Sequence, residues 1–177
     1  MGLTAVLKAI TPANGYNNDL SDFTDLATGD PTQRVFRGRN IFGADDPLPC
    51  LSILENPHAE DSLREEPRGG GGIARGPWEL LIQGFAQDDA QNPSDPAHWL
   101  MADVKLALAR ERAKLKKTAM PATMGGAGYD LFGMGTVVED MKIGGGVVRP
   151  PDDVSAKAFF WLILSLTMAE DTGNPFA

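Results

Sequence analysis

The run AFFWLILSLTM, Ala158 to Met168, constrains the fold more than any other stretch. It falls far short of the roughly 18 apolar residues a membrane-spanning helix needs. It therefore reads as part of a protein core. As a strand it sets Phe160, Leu162, Leu164, Leu166 and Met168 on one face. Phe159, Trp161, Ile163, Ser165 and Thr167 take the other. A buried helix could have the same apolar content. The β-branched and aromatic residues, and the Pro150-Pro151 pair ahead of them, favour the strand. With apolar residues on both faces, a central and doubly covered position is expected.

The rest of the chain supplies the elements around it. Its 177 residues suit one domain with one core. Leu3, Val6, Leu7 and Ile10 share one side of a short helix that stops before Pro12, and residues 11–33 read as a long loop. A strand over 34–42 would put Val35, Arg37, Arg39 and Ile41 on one face and Phe36, Asn40 and Phe42 on the other. Further strands are expected over 50–55, 77–86, 136–143 and 157–169. A helix over 95–117 has Leu100, Val104, Ala107, Leu108 and Leu115 as its buried stripe. Lys114, Lys116 and Lys117 suit the negative end of its dipole. Glycine-rich stretches at about 60–76 and 119–135 read as flexible insertions. The fold class is α+β: a single domain with long loops, whose mixed or antiparallel sheet carries the long helix on one face.

The same residues offer little chemistry. A net charge of -8 disfavours sequence-independent binding to nucleic acid. Cys50 is the single cysteine, so no internal disulfide forms, and its apolar strand suggests a small buried hydrophobe. The opening MGLTAVLKAITP has no charged leader and no cleavage site, so a soluble intracellular protein is expected. Asp88, Asp89, Asp95 and His98 could ligate a metal in a small hydrolase. However, the order of a calcium loop is absent, and so is the histidine pair of a helical zinc site. A turn followed by a helix explains these residues better, with Asp95 as N-cap and Pro96 opening the helix. RGGGGIARG lacks the Gly-Lys-Ser/Thr ending of a phosphate loop. Ser52 and Ser94 have no nucleophile-elbow context. Arg37 and Arg39 could hold an anion, line a solvated edge or pair with another subunit. Trp78, Trp99 and Trp161 suit a core or an interface. No catalytic set, cofactor motif or metal site emerges.

The order of the pieces carries more than any one of them. A leading helix is followed by Arg37-Gly38-Arg39 in VFRGRNIFG, then by Glu55-Asn56-Pro57 after CLSIL. Next come the strand WELLIQG, Trp78 to Gly84, and the Asp-Pro helix start at Asp95. A long final strand closes with Gly173-Asn174-Pro175. Taken in sequence, this resembles the tail terminator proteins of long-tailed bacteriophages, over most of the chain. The two glycine-rich insertions and the short first helix depart from that pattern. The resemblance implies a virion protein without enzymatic activity, assembled in the host cytoplasm. It implies a homohexameric ring on the end of the tail tube, with tail tube protein on one side and the head–tail connector on the other. Genome DNA would pass through the lumen without specific binding, and no membrane or cofactor would be involved. The aspartates 45, 46, 88, 89, 152 and 153 fall in expected loops and suit an acidic passage. Interface positions expected on this basis are Arg37, Arg39, Asp95, His98, Trp99, Phe159 and Trp161. Another neck component or a tube subunit is the alternative role.

Overall fold

The computed structural model describes residues 2–43, 45–56, 73–87, 89–117, 130–135, 137–151 and 157–171. Among these the elements run α1 (Gly2–Lys8), β1 (Phe23–Thr24), β2 (Pro31–Thr32), β3 (Val35–Arg37) and β4 (Cys50–Glu55). Then follow β5 (Ile73–Ala86), α2 (Asp95–Lys117), β6 (Val138–Ile143), β7 (Val147–Arg149) and β8 (Ala158–Asp171). The main sheet has the order β3-β4-β5-β8-β6, with β7 also on β8. β3 and β4 are parallel and the other pairs antiparallel, so the sheet is mixed and the fold α+β. β5 and β8 pair along their whole length, from Ile73 opposite Asp171 to Ala86 opposite Ala158.

One face of the sheet makes the core. Phe160, Leu162, Leu164 and Leu166 of β8 are buried there beside Leu80 and Ile82 of β5 and Leu51 and Ile53 of β4. Leu100, Val104, Ala107 and Leu108 of α2 join the same cluster, as do Leu3 and Leu7 of α1. α2 contacts β5, β8, β6 and β7. The apolar spacing of α2 thus meets the even-numbered side of β8.

The other face is different. Phe159, Trp161, Ser165 and Thr167 are half-buried, and Ile163 is 40% exposed. β8 is central in the sheet, but among the described residues it is not covered on both sides as its sequence suggested. Cover on this second face, among those residues, comes from residues 39–43 and 45–46, at one end. There Phe42 lies 4.7 Å from Phe85, the Ser52 hydroxyl donates to the Arg39 carbonyl, and the Lys157 ammonium donates to the Gly43 carbonyl.

Several elements depart from their expected bounds. β3 ends at Arg37 because Gly38 takes a left-handed φ of 72°. Arg37 stays on the core side, opposite Ile53, while Arg39 crosses to the second face, so the two arginines do not share a strand face. β5 begins at Ile73, inside the first expected insertion, whose residues 57–72 lie outside the described residues. Residues 131–133 of the second insertion form a 3-10 turn that buries Leu131 and Phe132, and 118–129 lie outside the description. The 11–33 loop contains a 3-10 turn at Pro12–Asn14, buried Leu20 and the β1–β2 ribbon.

The last residue of WELLIQG has a packing reason to be glycine. A methyl group on Gly84 would sit 2.8 Å from Leu51 Cδ2 and would overlap ring carbons of fully buried Phe160. Gly84→Ala is expected to destabilise the domain by about 1–3 kcal/mol through overpacking. Urea unfolding measures this, and a midpoint equal to the parent's would contradict the packing described.

Candidate functional site

The sequence offered interface positions rather than a catalytic set, and the structure places them on three separate surfaces. The first is the second face of the sheet. Phe36, Phe42, Phe85, Phe159 and Trp161 follow one another with ring centroids 5.6, 4.7, 6.2 and 5.8 Å apart. The Arg39 guanidinium lies 4.7 Å from the Phe36 and Phe42 rings and pairs with Asp46 at 2.5 Å. Arg149 lies over Trp161 at 5.8 Å. Beside this row, Leu54, Leu81 and Ile163 stand in register across three strands. Val147, opposite Trp161, is 42% exposed. The middle of the face is therefore apolar and open to water. One end carries Arg149. The other carries Glu79, Asp140, Lys142 and the Arg75–Glu139 pair at 2.9 Å.

The second surface is the outward side of α2. Asp95 is its first helical residue, one position later than a cap, and the Ser94 carbonyl accepts the His98 N–H at 3.0 Å. Asp89 accepts the N–H groups of Gln91 at 2.7 Å and Asn92 at 3.2 Å, and these bonds lower its pKa. The stretch thus forms a turn and a helix start; Asp88 lies outside the described residues. Asp95, His98 and Trp99 are all exposed, Trp99 at 62%. Trp99 begins an exposed apolar stripe that continues through Ala102, Leu106, Ala109 and Ala113. This alternating three- and four-residue spacing is that of a helix-packing seam. Sequence reading passed over this stripe: its spacing is regular, but its exposure depends on which side of the helix meets the sheet.

The third surface holds Arg37. A cleft of about 540 Å³ opens between α1, the end of β3 and the 131–134 turn. Leu3, Ile53, Trp78 and Phe132 line it, with exposed Arg37 and Glu55 at the mouth.

Two buried carboxylates escaped the sequence reading. Asp103 accepts four hydrogen bonds, from the backbone and side-chain N–H groups of Asn17 and Asn18, at 2.8–3.2 Å. Glu111 accepts the Phe132 N–H at 2.9 Å and pairs with Lys114 at 2.5 Å. The signal was their place within the buried stripe of α2, where a charged residue demands partners. Both anchor loops rather than offer chemistry. Cys50 is fully buried, and burial pushes its thiol up to about 11, far from a reactive thiolate. Among the described residues, no three His, Cys, Asp or Glu side chains gather around a possible metal, and no buried side-chain polar atom lacks a partner. No described helix is long and apolar enough to cross a membrane. Comparison with known proteins found no matching family model and no matching curated protein.

Proposed function

We propose that this chain is a structural subunit of a long-tailed phage virion, a tail terminator that caps the head-proximal end of the tail tube. The supporting observation is a pair of exposed apolar surfaces on opposite sides of one protomer. Trp99 and Leu106 look outward from α2, while Trp161, Ile163 and Val147 look outward from the sheet. A subunit with a neighbour on each side needs two such surfaces, and a monomer gains nothing from exposing both. The ordered sequence resemblance supplies the rest of the reading. Six copies form a ring, tail tube protein binds below, the connector binds above, and DNA passes through an acidic lumen. Asp46 is tied to Arg39 and contributes little free charge to that lumen. Capping occurs by occupying the surface that the next tube ring would use, so the function is binding and not chemistry. The test is particle morphology without the protein: heads and tails accumulate unjoined.

A further inference from the structure

We propose that the ring contact is helix on sheet: the outward stripe of α2 in one copy lies along the open sheet face of the next. The inference rests on reading the chain as a ring subunit, and it names the surfaces that meet. The occupant of each surface is a second copy of this chain.

The order of groups along the two surfaces matches. From Phe159 to Thr167, β8 spans about 27 Å. Along it come Arg149 opposite Phe159, then Trp161, then Ile163, then Glu79 and Asp140 beside Ser165 and Thr167. From Asp95 to Arg110, α2 spans about 22 Å. Along it come Asp95, then Trp99, then Leu106, then exposed Arg110, whose guanidinium also lies over Tyr16 and donates to the Asn14 carbonyl. With α2 parallel to the neighbour's β8, Asp95 meets Arg149 and Arg110 meets Glu79, which also accepts from the Asn56 amide, and Asp140. Trp99 stands about 6 Å along the helix and Leu106 about 16 Å. Trp161 and Ile163 stand about 7 and 13 Å along the strand. The apolar groups thus coincide between two charge pairs of opposite sign.

Two features oppose this register, and both are smaller than the effects that favour it. Lys142 stands near the acids, and it offsets one of Glu79 and Asp140. The helix dipole has the wrong sense, but its half-charges are outweighed by the formal charges at each end. The alanines at 102, 109 and 113 let the helix approach the flat middle of the face. The surfaces are different patches of the same protomer, so the contact is heterologous. Repeated, it gives a closed ring or an open chain. Each contact also adds the missing layer over the half-covered side of β8.

A mixing experiment tests this with the purified full chain, apart from any test of capping. Trp99→Lys removes the helix side and Ile163→Lys removes the sheet side. Both positions are exposed, so parent-like thermal melts are expected. If either variant unfolds, Ala102→Glu and Val147→Glu take their places. Sedimentation velocity is measured at about millimolar chain, where even weak contacts populate. The parent is expected to assemble, and each variant alone to sediment as a monomer. An equal mixture of the two should give dimers and nothing larger, because one good contact remains between unlike partners. The proposal is overturned by a monomeric parent, by a variant that assembles like the parent, or by a mixture that stays monomeric. None of these results bears on whether the protein ends a tail, which particle morphology decides separately.

Discussion

Leu164→Asp is expected to unfold the domain. Leu164 is fully buried in the middle of β8, opposite Leu80 on β5 and Ile143 on β6. Its side chain belongs to the cluster formed with Val104 and Leu108 of α2. Truncating such a leucine to alanine costs about 2–5 kcal/mol from lost transfer and cavity terms. A carboxylate adds the cost of placing a charge where no described cation stands to receive it. The sum is comparable to the roughly 5–15 kcal/mol that holds an ordinary domain together. Loss of the cooperative melt by circular dichroism is the expected outcome. A soluble variant that melts like the parent would show that the even-numbered side of β8 is not the core side.

Asp103→Ala is expected to loosen the first third of the chain. Asp103 is 3% exposed and receives both Asn17 and Asn18 through backbone and side-chain donors. Alanine leaves two backbone N–H groups without their acceptor and leaves the loop tied to α2 through Arg110, which donates to the Asn14 carbonyl at 3.2 Å and lies over Tyr16. Because Asn17 is exposed, water recovers part of the loss. A destabilisation of about 2–4 kcal/mol is expected, which lowers Tm by roughly 5–15 °C. Proteolysis should then cut near Asn17 and Asn18 before the sheet is attacked. Unchanged Tm and unchanged cleavage would mean that this carboxylate is not the anchor of the loop.

These two residues differ in how far the sequence reveals them. Leu164 was legible because strand parity is strict: once Ala158–Met168 is a strand, its faces follow. The bounds of α2 and β4 were legible for similar reasons, a helical apolar stripe and a compact run between turn residues. Asp103 was not, because its partners lie more than eighty residues away and no local pattern points to Asn17 and Asn18. The end of β3 was hidden too, since alternation continues through RVFRGRNIF while the left-handed Gly38 breaks the strand. That single turn separates Arg37 at the cleft from Arg39 on the aromatic row. The half-open sheet face was the hardest to foresee. Composition shows that Phe159, Trp161 and Ile163 are apolar, but whether they are covered depends on layers drawn from elsewhere in the chain. Of the candidate positions, Asp95, His98 and Trp99 fall together on α2, and Phe159 and Trp161 fall together on the sheet, on opposite sides of the protomer.

The proposed role, ending tail growth and joining tail to head by occupying a surface, has two visible consequences. Electron microscopy of lysates made without the protein measures both in one field. The expected result is DNA-filled heads without tails, together with free tails longer than the normal length and broad in distribution. Tails of normal, uniform length attached to heads would contradict that role and place the protein's work elsewhere.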